Sequence, residues 1–520
     1  MSFATAMKQY KKTWNGAPTL SNPDPQKVSS GRIALFYRSV RGLNAPRLFE
    51  CLKNSAQESV IDTFLLVFHI RDCREGKGER ALGKLAFRWL FVNYSEEFMK
   101  VYSLIPEYGR WDDLLDLWPG VLDLSQSLET INANWFSNLQ ENDLLKLQAL
   151  QNNIVIHYAN QLNEDIKCME LGKNVSLAAK WAPTEKDSLD FKFKTVNLLC
   201  KRLRISPKIY RKSITTPLRE YLRIVEKFMC TNKWDSIDFN KVPSCAMKRL
   251  KNAFEKHSKE LFDEWKYKLH KGEAKVNATQ LFPYEIVKEI RSGKYDSVSE
   301  EQWKILEQKT SNLGFLENCV CVTDVSGSMT YGKNGVKPID VAISLSLIIA
   351  NANKGAFHNN VISFHETPSF YVIKEGTIES KVKQILSAPW GMSTNLMDVF
   401  NMILNVAKQN NLTQEEMPKN IFIFSDMQFN NTNTGQTNFE EIEKIYQLSN
   451  YKRPNIIYWN VNGESSDYPV STDSNGTCLI SGFSSNLVKA LLDGKSINVN
   501  DIMRRTIDDD RYKPIYDLLK

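Results

Sequence analysis

No stretch of this 520-residue chain approaches the roughly 18 to 20 consecutive apolar residues that cross a bilayer. The nearest, Val341–Ala352, is interrupted by Ser344, Ser346 and Asn351. The opening residues, MSFATAMKQYKK, lack the apolar core of a secretory signal. The nine Cys are odd in number and irregularly spaced, which argues against a disulfide framework. Gly and Pro, at 23 and 18, are too few for a collagen-like or low-complexity chain. His is scarce, at six, and His365-Glu366 is followed by no second His at zinc spacing. There is no phosphate loop of the Gly-x-x-x-x-Gly-Lys-Ser/Thr kind, no Gly-x-Ser-x-Gly elbow and no visible nucleophile–base pair. These absences lead us to expect a cytoplasmic, reduced protein that is not an enzyme, takes no small-molecule substrate and meets no membrane.

What is present is ordinary globular composition, 42% hydrophobic and 24% charged, in a chain long enough for two to four domains of about 100–200 residues. The charge is uneven. Residues 1–310 hold 49 Lys and Arg against 38 Asp and Glu, while residues 311–520 hold 18 against 22. Residues 201–250 alone carry 13 basic and 4 acidic side chains. Such asymmetry predicts a basic surface for an anionic partner and a separate domain of different character.

The texture of the chain divides it in the same place. Residues 1–30 are polar and read as an N-terminal arm. Residues 31–310 read as helices, as in Leu82, Leu85, Ala86, Trp89 and Leu90, with breakers at Pro106, Gly109, Pro119-Gly120, Pro183, Pro207 and Pro243. No fixed period emerges, so an irregular helical-repeat array fits better than a consensus solenoid. From residue 311 to 520, short apolar runs alternate with helical patterns. Strands are expected at Asn318–Thr323, Val361–Phe364, Phe370–Ile373, Asn420–Phe424, Asn455–Val461 and Thr477–Ile480. Helices are expected at Pro338–Ala352, Ile378–Ala388, Leu396–Gln409, Phe439–Leu448 and Asn486–Leu492. That alternation predicts a doubly wound, Rossmann-like parallel sheet, which binds ligands beyond the carboxyl ends of its strands.

Three motifs fall at those ends. Asp324-Val325-Ser326-Gly327-Ser328 follows the first strand, Gly391-Met392-Ser393-Thr394-Asn395 precedes a helix, and Ser425-Asp426-Met427 ends a third strand. Two carboxylates and several hydroxyls, without Cys or His, are hard donors suited to Mg²⁺ or Mn²⁺. Cys319 and Cys321 share one strand face without nearby ligands and read as core thiols. By position, Asp324, Ser326, Ser328, Thr394 and Asp426 resemble a von Willebrand factor A domain with a metal-ion-dependent adhesion site. That resemblance implies that both serines ligate directly, and that the threonine and aspartates ligate directly or through water. It also implies an open position for a carboxylate from an acidic protein partner.

The helical part carries its own motifs. Arg71-Asp72-Cys73-Arg74-Glu75-Gly76-Lys77-Gly78-Glu79-Arg80 either brings backbone N–H groups to a phosphate or forms an interhelical turn with solvated charges. Tyr108-Gly109-Arg110-Trp111-Asp112-Asp113 starts a helix with Trp111 in the core, and Lys180-Trp181-Ala182-Pro183 ends one. Lys201, Arg202, Arg204, Lys208, Arg211 and Lys212 surround Tyr210, and Tyr221 and Trp234 follow among further basic residues. This mixture suits phosphate contacts with base stacking, or simply a solvated helix face.

Taken together, the order of a helical array and then an A-like domain resembles the Ro ribonucleoprotein autoantigens, whose TROVE ring binds RNA. The strings fit still better a TROVE-like family of plants and large DNA viruses, which makes a viral origin compatible. They include the Arg71–Arg80 turn, the Gly109–Asp113 helix start, the Lys180–Pro183 element, Tyr210–Arg219 and Ser425–Phe429. The resemblance covers roughly residues 30–515 and implies an HEAT-like array. We therefore expect a non-enzymatic RNA-binding scaffold whose metal site serves a partner. The alternative is a protein-interaction scaffold whose metal grips an acidic residue, without RNA.

Overall fold

The computed structural model describes residues 30–117, 143–185, 195–312, 316–332, 335–364, 368–387, 395–429, 438–463, 476–491 and 498–520, and the backbone of 10–12 and 18–20. Strands β1 (Tyr10–Lys12) and β2 (Pro18–Leu20) pair as a short antiparallel ladder.

Between Gly31 and Asn312 the described chain is helical. The longest helix, Asp143–Glu170, buries Leu147, Leu150, Ile154, Tyr158 and Leu162 at three- and four-residue spacing, so one stripe faces the core. The chain makes one π-helical turn at Tyr210–Thr215, where the Thr216 N–H reaches back five residues to Arg211 O. Pro217, next in line, has no N–H to continue an ordinary ladder. The turn keeps Tyr210 and Ile214 inside and leaves Arg211 and Lys212 exposed.

The second half is a six-stranded sheet. Strand β4 (Cys319–Asp324) lies at its centre, flanked by β6 (Asn360–Phe364) and β8 (Asn420–Ser425). Strands β9 (Asn455–Asn460) and β10 (Thr477–Ser481) extend one side and β7 (Ser369–Val372) closes the other, in the order β10-β9-β8-β4-β6-β7. All neighbours are parallel except β7, which runs antiparallel to β6. Only four residues separate Phe364 from Ser369, too few for the crossover that a parallel neighbour needs. Two further short strands, β3 (Leu316–Glu317) and β5 (Asn353–Lys354), pair beside the sheet. Strands β4, β6 and β10 are buried at every position, as covering on both faces requires.

The two halves share one hydrophobic core, running from Ile33 through the helices and the sheet to Leu519. A second, smaller core, with Val225, Phe239, Phe254, Phe262 and Trp265 at its centre, belongs to the helices around residues 225–298. The Gly31–Arg38 helix packs on β10, and the Lys513–Leu519 helix returns to the Val60–Arg71 and Ser95–Val101 helices.

A candidate metal centre and nucleic-acid interface

Strands β4 and β8 are parallel and in register, Thr323 opposite Phe424, so Asp324 and Ser425 meet at the carboxyl edge. Ser425 Oγ donates to Asp324 Oδ2 at 2.6 Å, and the Ser326 N–H donates to Asp324 Oδ1 at 2.9 Å. The Ser326 and Ser328 hydroxyls lie 3.1 Å apart. Asp426 follows directly on β8 and accepts the Gln428 N–H at 3.3 Å and a hydrogen bond from the Ser328 side chain. The next residue, Met427, is buried with φ at +66°, a left-handed conformation that costs a side-chain-bearing residue about 1–2 kcal/mol. Ser425 Oγ accepts the Met427 N–H at 3.0 Å and so braces the turn that carries Asp426.

Asp324, Ser326 and Asp426 are all buried, and neither carboxylate has a Lys or Arg ion-pair partner among the described residues. Burial, together with the charge of Asp426, pushes the Asp324 carboxyl up to about 7. Burial also raises Asp426. Two buried carboxylates with hydroxyls around them and no compensating cation form a donor set that fits a hard divalent ion. No group of three His, Cys, Asp or Glu occurs among the described residues, so the donors here are two carboxylates and hydroxyls. The structure thus brings Asp324, Ser326, Ser328 and Asp426 together, with Ser425 as a bracing residue that spacing alone does not single out. Thr394 lies outside the described residues, as do His365 and Pro119-Gly120. Cys319 and Cys321 are buried, and none of the nine cysteines forms a disulfide.

On the helical half, Lys201, Arg202, Arg204, Lys208, Arg211 and Lys212 are all exposed. Arg211 faces Glu185 at 3.4 Å. Arg204 closes the Thr195–Leu203 helix with φ at +56°, a position that glycine usually takes. Tyr210 does not join this surface. It is 2% exposed, and its hydroxyl donates to Pro183 O at 3.2 Å. Tyr210 and Ile214 share the inward side of the turn, so the ring is closed to a base. Trp234 is half-buried and stacks on His257 at 4.4 Å. Several cations further along are tied inside the molecule. Arg219 donates to Ala179 O and Ala182 O, and Lys251 is buried between Glu289 and Asp296.

The Arg71–Arg80 turn corrects the reading of its charges as solvated. It is an interhelical turn, but Arg71, Asp72, Lys77 and Glu79 are buried. The Lys77, Gly78 and Glu79 N–H groups go to His69 O, Asp72 O and Ile70 O, so these three are not offered to a phosphate. Lys77 Nζ donates to Phe36 O, to Ser39 O at 3.1 Å and to Ser481 Oγ at 2.8 Å at the end of β10. Asp72 receives Arg511 at 2.5 Å and the Tyr512 hydroxyl at 3.2 Å. The Gly109–Asp113 motif adds Asp113, which accepts Arg71 at 2.6 Å. A Cβ on Gly109 would sit 2.3 Å from that carboxylate, so a side chain there would displace the Arg71–Asp113 pair. Trp111 is buried against His157, as expected of a core residue.

Comparison with known proteins gives this arrangement relatives. A protein of Acanthamoeba polyphaga mimivirus, Uncharacterized protein L728, is 30% identical over 525 aligned positions, covering 95% of this chain and 88% of that protein. The chain belongs to the L728 family. Within it, residues 200–316 match a domain of unknown function, DUF2828, and residues 318–514 match another, DUF7788. The DUF2828 match contains the basic cluster from Lys201 onward, and the DUF7788 match contains every residue of the candidate metal centre. A solved structure, that of the Deinococcus radiodurans RO (RSR) protein, aligns over 94% of this chain and 96% of that chain at 14% identity, with a TM-score of 0.34. A likeness that distant transfers neither fold detail nor function.

Proposed function

We propose that this member of the L728 family is an RNA-binding scaffold, with a TROVE-like helical half for RNA and an A-type domain whose metal edge holds a protein partner. The observation that carries the RNA reading is the exposed cluster Lys201, Arg202, Arg204, Lys208 and Lys212, five cations with no ion-pair partner among the described residues. At the sheet edge, Asp324, Ser326, Ser328 and Asp426 would hold Mg²⁺ or Mn²⁺, with Thr394 as a further donor. The ion would offset the two buried carboxylates and leave an open position for a partner's carboxylate. No His or Lys base stands among these donors, which favours adhesion over hydrolysis.

Filter binding with single-stranded and duplex RNA at several salt concentrations tests the first part. Affinity should fall with salt, with a log–log slope of about −0.7 per phosphate neutralised on single strands. If no RNA binds below about 10 µM at low salt, weaker than ordinary non-specific binding, the alternative of a protein scaffold without RNA takes its place. Calorimetry tests the second part: wild-type protein should bind one Mg²⁺ or Mn²⁺, and Asp324→Ala should remove it without unfolding the sheet.

A further inference from the structure

A cleft lies beside the candidate metal edge, and the helical half supplies its cation. The turn after the Gly31–Arg38 helix docks on the segment that follows β9, where the Gly463 N–H donates to Arg41 O at 3.1 Å. A Cβ on Gly463 would sit 2.5 Å from Val40 O, so the two backbones meet more closely than any side chain allows. This contact delivers Arg41 to a cavity of about 180 Å³ walled by Tyr331, Val336, Pro338, Val461 and Phe483, with Asn462 at its edge. The cavity shares structure with the metal edge on two sides. The Val461 N–H donates to Ser425 O at 3.1 Å, one residue from Asp426. Tyr331 follows Ser328 by three residues, a reach of at most about 11 Å.

Arg41 is fixed in place. Its guanidinium carbon lies 4.9 Å from the Phe483 ring centre and 5.6 Å from that of Phe282. Nε faces Glu79 at 3.3 Å and Nη1 donates to the Tyr284 hydroxyl at 2.8 Å. Nη2 makes no hydrogen bond among the described residues. Its partner Glu79 is buried. The cleft therefore presents apolar walls and one fixed unused donor. Nucleotide- and drug-sized ligands need roughly 300–1,000 Å³, so a cavity of about 180 Å³ takes a single side chain. Tyr331, 80% exposed at the mouth, is the kind of aromatic that anchors protein interfaces.

We propose that this cleft is a second anchor for the protein partner, seating a glutamate side chain with its carboxylate on Arg41 and its methylenes against Pro338, Val461 and Phe483. The biological meaning rests on the partner half of the proposed function, but the cleft itself needs no metal.

The test is methyl NMR on the full chain, reading Val336 and Val461 during titration with N-acetylglutamate methylamide, N-acetylglutamine methylamide or inorganic phosphate. Saturable shifts are expected with the glutamate probe, and about tenfold weaker binding with glutamine, since a charge-assisted hydrogen bond is lost. Arg41→Gln should abolish the response. Should that variant unfold, Tyr331→Ala, which removes only an exposed side chain, should still weaken binding severalfold. Absent shifts, equal response to glutamine, or phosphate binding as tightly as glutamate would each overturn the assignment. Repeating the titration in EDTA and with Asp324→Ala separates the two sites. A response that persists there upholds the cleft even if no metal binds. One that vanishes there makes it part of the metal edge and sinks the second anchor.

Discussion

The Arg71–Arg80 turn and the Lys201–Lys212 segment look alike as sequence, each a dense run of charge beside helices, and the structure gives them opposite fates. In the first, Arg71, Asp72, Lys77 and Glu79 are buried, and Lys77 and Asp72 bind across the two halves of the molecule, to Ser481, Arg511 and Tyr512. In the second, the cations face solvent and only the tyrosine turns inward. The difference lies in sign and in glycine. The turn mixes acids with bases, which find opposite charges elsewhere in the chain, Arg71 on Asp113, Asp72 on Arg511 and Glu79 on Arg41, and Gly76 and Gly78 let the backbone fold tightly. A Cβ on Gly76 would sit 2.3 Å from His69 O. The second run is basic without acids and contains no glycine, so it has nothing to close upon. A charge run of mixed sign with glycines is a candidate lock; one of single sign is a candidate surface.

Breaking that contrast should have its largest effect at the lock. Asp72→Ala leaves Arg511 and the turn without their shared acceptor, and removing one partner of a buried pair costs about 3–5 kcal/mol. Urea unfolding followed by circular dichroism should report a loss of that order. A loss below about 1 kcal/mol would mean that the turn does not lock the halves. Next comes the surface. Reversing Lys201, Arg202, Arg204, Lys208 and Lys212 to Glu should leave the unfolding midpoint nearly unchanged. It should also weaken RNA binding by about a hundredfold or more at low salt and flatten the salt dependence. Equal binding by the variant places the RNA elsewhere.

A third effect is in pH. Burial lowers Lys77 from its ordinary range to about 7 in the folded chain, only partly countered by Glu79. Between about pH 7 and 10 the unfolded chain holds a proton there that the folded chain does not. Stability should therefore rise with pH across that window, by at most about 1.4 kcal/mol per unit from this group. The wild type should gain on Lys77→Met from pH 7 to 9 in parallel denaturation curves; identical slopes would show that Lys77 stays protonated. The smallest effect is at Tyr210→Phe, which loses the bond to Pro183 O and about 1 kcal/mol of stability. RNA affinity should not change, whereas a marked loss would put the ring back among the contacts.

Much of the second half is legible in its residues alone. The helices at Pro338–Ala352 and Leu396–Gln409 match the apolar patterns at both ends, because proline at the start of one and asparagine before the other mark where the backbone must turn. The strands are readable because they are buried on both faces and so contain little but apolar residues. The edge strand β7, half exposed, is legible in place but not in direction, since direction is set by the short link to β6 and not by its residues. Asp324 and Asp426 are readable as strand-end residues. Ser425 and Arg41 are not, because Ser425 matters through a neighbouring strand and Arg41 arrives from nearly 300 residues upstream. Tyr210 misleads, because composition gives a ring's neighbours in sequence and not the side of the helix it lies on.

The bond between His69 and Tyr512 joins residues 443 positions apart, and the Lys513–Leu519 helix beside it covers the helices Val60–Arg71 and Ser95–Val101. During synthesis at about 5–20 residues per second, those first helices emerge roughly 20–90 s before the segment that covers them. For that interval the part of their apolar surface that this helix covers is open, and chaperones are the natural temporary cover. A nascent chain halted near residue 490 should be held by such factors and be open to protease, and release of the last segment should end both.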